Sequence, residues 1–285
     1  MAERIGTVPK VMCLAGLMAA GQGWAVESTA GAAAAVAPAD ALYRSVAVVT
    51  GTGEANRSAG FAQGLGEVLV KLTGDQTILE DRRLSALAAQ SSAFVESFSY
   101  RDRLAGKPLR DEQGTYDRPH NLTVVFDPVK INALARSLGR EPWLSPRPRV
   151  VVFLAVENLK SAFMLASDGV ADRSEDMRAA LTAAAEKVAI PVALPTVAQL
   201  DTFGVDAGAL PDAALAEAQA IAGTDVLLAG RIVFSEAALG WVASWRMQHG
   251  RTLHAWGVRG VSFDDAFRNA MRGAAQVLSG HGAPK

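Results

Sequence analysis

The spacing of apolar residues in this chain switches repeatedly between the two-residue period of strands and the three-to-four-residue period of helices. Tyr43 to Thr50 is apolar and β-branched and runs into Gly51 and Gly53, which predicts a strand and a turn. Phe61, Leu65, Val68, Leu69 and Leu72 then form one helical stripe, with Asn56 or Ser58 as the cap and Gly74 as the stop. Similar spacing through Leu84, Leu87, Ala88, Ser91, Phe94, Val95 and Phe98 predicts a second helix, with Arg82, Arg83, Gln90 and Glu96 on its polar face. Residues 101–120 are charged and hydrophilic, as an exposed hairpin or loop would be. Asn121 to Phe126 predicts a strand. Asp127 and Pro128 then supply a cap and a first helical residue for a short helix through Ile131, Leu134, Ala135 and Leu138, closed by Gly139.

Pro142, Pro146 and Pro148 deny regular hydrogen bonding between Glu141 and Arg149 and mark a joint. Val150 to Val156 is continuously apolar, as expected of a strand covered on both faces, and Ser161 to Ala166 can pair with it. Ser174 as a cap, Glu175 and Asp176 in the positive first turn, and Met177, Leu181, Ala184, Ala185 and Val188 on one face predict a helix. A short strand at Pro191 to Leu194, a helix from Pro211 through Ala222 and a buried strand at Asp225 to Phe234 follow. Trp241 to Met247 and Thr252 to Val258 predict a hairpin around His249 and Gly250, with Trp241, Ala243 and Trp245 on the face opposite Val242, Ser244 and Arg246. Ser262 and Asp265 form a capping pattern for a last helix that buries Phe263, Phe267, Ala270, Met271, Ala274 and Leu278. The expected class is α/β, of the α+β kind: two small domains, 42–141 and 150–280, each a mixed or antiparallel sheet packed with helices. Residues 142–149 join them and 281–285 form a tail.

The N-terminus changes the picture from a fold to a location. Arg4 and Lys10 precede an apolar run from Val11 to Ala20, and Gly23 and Ala25 are small residues suited to cleavage after Ala25. A run of about 10 apolar residues is too short to anchor in a bilayer, which takes about 20. Residues 1–25 therefore predict a secretory signal peptide, and 26–41 a flexible leader of small residues. The expected location is the periplasm, with no transmembrane segment after cleavage. Cys13, the only cysteine, lies in the signal, so the mature chain has no thiol for disulfides, thiolate metal sites or nucleophilic catalysis. Cleavage moves the formal net charge only from −1 to −2, which gives no pull toward nucleic acid.

Catalytic patterns are weak. Gly51, Gly53 and Gly60 sit between a strand and a helix, but Asn56 and Arg57 stand where phosphate-binding loops need glycine and lysine. His249 and His254 fall in a turn and on a strand without a helical i, i+4 partner, and no serine has a G-x-S-x-G context. His120 beside Asp117 is the one conceivable base pair, in a charged loop. No catalytic, cofactor or metal residues are therefore assigned. The residues left as candidates for interaction are Trp143, Arg147 and Arg149 in the joint, and Trp241 and Trp245 on the hairpin. Arg147 and Arg149 are spaced to face one side of an extended segment, so they could hold an anion or simply be solvated. Trp241, Trp245 and Trp256 could be core or an exposed partner surface.

Several strings together resemble domain-of-unknown-function family 2066 of bacterial envelope proteins: VLVKLTGD at 68–75, FDP at 126–128, PWLSPRPRVVVFLAVE at 142–157, DVLLAGRI at 225–232, and the Trp241 and Trp245 pair. That resemblance implies an envelope protein and carries no activity, substrate or catalytic residue. An architectural similarity to periplasmic domains of the flagellar assembly protein FlgT, the TolB N-terminal domain and the curli secretion lipoprotein rests on Val150, Gly230 and the Trp241 hairpin. It implies scaffolds and assembly factors. Two functions follow as expectations: a non-enzymatic factor that binds other envelope proteins, or an enzyme or small-anion binder with its site in the cleft between the domains.

Overall fold

The computed structural model of the chain describes residues 39–106, 118–208, 210 and 225–284. The expected signal, the leader through residue 38, Asp117 and the helix expected from Pro211 lie outside the described residues.

A one-turn helix, α1 (Ala39–Leu42), leads into β1 (Arg44–Thr50). Alternation along β1 turns Ser45, Ala47 and Val49 inward and leaves Arg44, Val46, Val48 and Thr50 exposed. The long helix α2 (Glu54–Thr73) lays Phe61, Leu65, Val68, Leu69 and Leu72 in the core, all buried. Gly60 lets it sit close to the sheet, because a Cβ there would come within 2.6 Å of the Leu122 side chain. A tight turn and close packing thus account for the glycines between β1 and α2. The cap is Gly53, one turn earlier than expected, and Asn56 lies inside the helix with its side-chain amide donating to the Thr50 carbonyl. Gly74 ends the helix in the left-handed region at φ 72°, as its sequence position implies.

The next helix, α3 (Arg82–Ala88), is shorter than the pattern predicts. The stripe that continues through Phe94, Val95 and Phe98 belongs instead to a 3₁₀ turn at Ser91–Phe94 and a strand, β2 (Val95–Asp102). β2 pairs antiparallel with β3 (Pro119–Phe126), and β3 pairs with β1, giving the order β1-β3-β2. The ladder decides this segment: β-branched and aromatic residues suit a strand, and pairing overrides a helical spacing that short apolar runs satisfy by coincidence. Helix α4 (Pro128–Ser137) begins as expected, with the Asp127 carboxylate accepting from the Val129 and Lys130 N–H groups.

A second sheet has the order β5-β4-β7-β8-β9, with β6 also on β4. Its strands are β4 (Val150–Glu157), β5 (Ala162–Met164), β6 (Val192–Ala193), β7 (Val226–Ser235), β8 (Gly240–His249) and β9 (Thr252–Val261). β4 runs parallel to β6 and β7 and antiparallel to β5, so the sheet is mixed. Two helices, α5 (Ser174–Lys187) and α7 (Phe263–Leu278), share one core with Val152, Leu154, Val156, Ile232, Trp245 and Met247. On the other face Phe153 and Ala229 meet Leu200 and Phe203 of a segment that includes α6 (Val197–Thr202). Both faces of β4 are thus covered, which is why its sequence is continuously apolar. α6 is an element the apolar pattern misses, although Thr196 and Gln199 form a full capping box at its start. α5 is capped by Arg173 at φ 59°, while the Ser174 hydroxyl donates to the Gly169 carbonyl. The α/β class, with sheets packed against helices, is the class observed.

Two of the sequence strings meet here. Gly230 stands directly across the β7/β8 ladder from Trp245. A Cβ at position 230 would overlap the six-membered part of the Trp245 indole, which is fully buried. The glycine exists to seat that ring.

Candidate functional site

The joint between the two sheets gathers most of the buried charge. The Trp143 N–H donates to the Leu72 carbonyl at 2.8 Å and so satisfies one of the orphan carbonyls at the end of α2. Four residues on, Arg147 is buried at 8 % exposure despite its charge. Its guanidinium donates to the Lys71 carbonyl at 2.6 Å, to the Val188 carbonyl, and to the Trp143 carbonyl at 3.4 Å. Lys71 lies in the last turn of α2 and Val188 is the C-cap of α5. A single cation therefore closes the negative ends of two helices, one against each sheet, where a positive charge is favoured. Burial pulls its pKa down to about 10, so it stays charged at neutral pH.

Lys71 carries the second buried charge. Its ammonium donates to the carbonyls of Arg44 at 2.6 Å and Ala41 at 3.2 Å, tying α2 to the entry of β1. Burial lowers its pKa to about 8, against the pull of Glu67 and helped by Arg147, Lys187 and Arg44. Glu67, one helical turn earlier, is paired with Lys187 of α5 at 2.9 Å. These groups border a cleft of about 660 Å³ between β1, α2 and the end of α5.

The candidates read from the sequence separate. Trp143 is half-buried, packs on the core of the second sheet, and carries Arg147 over its ring. Arg149 is exposed and its Nε donates to Asp225 at 2.9 Å. Arg147 and Arg149 are thus engaged by different partners, one backbone carbonyls and the other a carboxylate. Trp241, Trp245 and Trp256 all lie in the core beneath α7, at 8, 0 and 8 % exposure. Among the described residues, no group of three or more His, Cys, Asp or Glu could hold a metal ion. The His120 imidazole contacts the Arg118 carbonyl at 2.8 Å.

Lys71 and Glu67 escape the sequence reading. One signal was available: Lys71 is a cation inside the buried run Val68 to Thr73, where an unpaired charge is costly and must find carbonyls or a counter-ion.

Residues 36–144 match a family described as a domain of unknown function, DUF8605. The matched stretch holds the three-stranded sheet, Lys71 and Trp143, and stops short of Arg147 and the second sheet. No curated protein matches the chain. Among the described residues, no helix is long and apolar enough to cross a membrane.

Proposed function

We propose that this chain is an exported, non-enzymatic binding or assembly factor of the cell envelope, which takes an extended segment of another envelope protein onto the free edge of β9. The observation that carries the reading is the state of that edge. β9 is ten residues long and pairs with β8 alone among the described residues. Thr252, Leu253, Ala255, Gly257 and Arg259 are all exposed, with Leu253 at 62 %. Its irregularity is confined to the far end, opposite Trp241 and Val242, so the ladder from Thr252 to Arg259 is regular.

Native sheets guard such edges with charge, bulges or short strands, because an unpaired row of N–H and C=O groups recruits another strand. β2, the corresponding edge of the first sheet, is guarded: its pairing is bulged between Val95 and Ser97 and it carries Glu96 and Arg101. On the far side of the second sheet the edge strands β5 and β6 have three and two residues. From Thr252 to Val258 β9 has no bulge and no Lys, Arg, Asp or Glu, and its one formal charge, Arg259, stands at the end of the regular ladder. The signal-like N-terminus and the resemblance to the envelope family numbered 2066 support a periplasmic setting. The engagement of Lys71, Arg147 and Arg149 by protein groups favours binding over catalysis at the joint.

Capture from periplasmic extract tests this, comparing the wild type with Ala255→Pro, which removes an N–H from the exposed set without touching the core face. Partners retained by the wild type and lost with Ala255→Pro support the reading, provided both proteins melt alike and begin near Val26. Partners held equally by both, or an uncleaved chain in the cytoplasm, contradict it.

A further inference from the structure

The cleft beside the joint has a chemistry of its own, independent of the β9 edge. Its volume of about 660 Å³ lies within the range of small-molecule sites, about 300–1,000 Å³. Its apolar wall comes from Val46 on the outer strand β1 and from Ala183, Ala189, Ile190 and Pro191 at the end of α5. Its charged groups are Arg44, Lys71 and Lys187 against Glu67 and Glu186, an excess of one positive charge. Glu67 is committed to Lys187. Lys71 uses two of its three protons on the carbonyls of Arg44 and Ala41, and no carboxylate accepts from it among the described residues. Arg44 lines the cleft and is exposed, and among the described residues its side chain has neither a hydrogen bond nor an ion pair.

We propose that this cleft binds a free long-chain carboxylate, its headgroup against Arg44 and Lys71 and its hydrocarbon along Val46, Ala183, Ile190 and Pro191. One surplus positive charge beside an apolar wall complements an amphipathic monoanion. A neutral amphiphile leaves that charge unanswered, and a short anion leaves the apolar wall wet. The site differs from the one expected at Arg147 and Arg149, whose guanidinium groups are held elsewhere.

Calorimetric titration of the full mature protein with dodecanoate below its micellar range tests the proposal, with dodecyl maltoside and acetate as the neutral-head and chainless controls. Dodecanoate should bind one to one and about tenfold or more tighter than dodecyl maltoside, equivalent to about 1.4 kcal/mol. Acetate should show no saturation. The exposed substitutions Arg44→Gln and Ala183→Trp, the first removing a headgroup contact and the second filling the trough, should each weaken dodecanoate about tenfold while leaving the melting temperature unchanged. Raising the pH from 7 to 9 should weaken dodecanoate and leave dodecyl maltoside alone. The reason is that Lys71, surrounded by Glu67, Glu186, Arg44, Arg147 and Lys187, loses its proton near pH 8. Equal affinity for dodecanoate and dodecyl maltoside overturns the proposal. So does dodecanoate binding that survives both Arg44→Gln and Ala183→Trp, or that is indifferent to pH. Because none of these variants touches β9, their failure is distinct from failure of the edge-binding role.

Discussion

The guanidinium of Arg147 lies 4.3 Å from the centre of the Trp143 ring while it donates to the carbonyls that end α2 and α5. The stack shields hydrogen bonds that run to both helices, so the proline-rich joint acts as a latch between the two sheets and not as a loose tether. Hydrogen bonds to charged groups contribute about 1.5–3 kcal/mol each, and removing the donor strands buried acceptors.

Arg147→Ala should therefore cost about 3 kcal/mol of unfolding free energy, allowing for some relaxation. Arg147→Lys should recover only part of this, because an ammonium lacks the planar fork that reaches the Lys71 and Val188 carbonyls while stacking on the Trp143 ring. Trp143→Ala should be coupled to Arg147→Ala by about 0.5–2 kcal/mol in a double-mutant cycle. Urea denaturation of the wild type and the four variants reads these effects. Additive effects, or a loss for Arg147→Ala within about 0.5 kcal/mol of zero, would contradict the latch.

Lys71 gives the molecule a pH signature. Its folded-state pKa, lowered by burial to about 8, lies below the ordinary lysine value of 10.5. Between the two the unfolded chain binds more protons than the native one, so this group's contribution to stability rises with pH across the window. The neutral amine can still donate to both Ala41 and Arg44, so the anchoring survives deprotonation. From pH 7.5 to 9.5 the wild type should gain roughly 2 kcal/mol relative to Lys71→Met. A flat difference, or one that falls with pH, would show that the ammonium is not desolvated.

Substitution of Gly230 by alanine should cost about 1–3 kcal/mol, as overpacking of a full core does, since the added methyl meets the Trp245 ring and lies 3.1 Å from Leu154. Pairing it with Trp245→Phe should recover part of the loss by removing the overlapped atoms. Thermal unfolding of the two single variants and the double variant checks this. A neutral Gly230→Ala would mean that the indole is free to move.

Where capping chemistry and periodicity agree, the elements are legible in the sequence: Gly74, the Asp127 and Pro128 pair, and Ser262 each sit at the helix end they imply. The stretch from Leu84 to Phe98 is not legible, because Leu84 to Ala88 and Phe94 to Phe98 satisfy one helical spacing while the partner strand β3 is more than twenty residues away. Sheet pairing at that distance overrides local preference. The joint shows the same limit. Spacing places Arg147 and Arg149 on one side of an extended chain, but the destination of each guanidinium is fixed by groups far away in sequence: Lys71 and Val188 for one, Asp225 for the other. Lys71 is hidden for the same reason, since its acceptors lie about thirty residues upstream.

Site-specific photo-crosslinking in intact cells tests the binding role most directly, with the photoreactive residue at Leu253 on the β9 edge or at Val170, an exposed position at 98 % outside any strand. The β9 reading predicts a discrete adduct with an envelope protein from position 253, none from position 170, and loss of the adduct when Ala255→Pro is added. Equal labelling from both positions, or an adduct at 253 that survives Ala255→Pro, would contradict it.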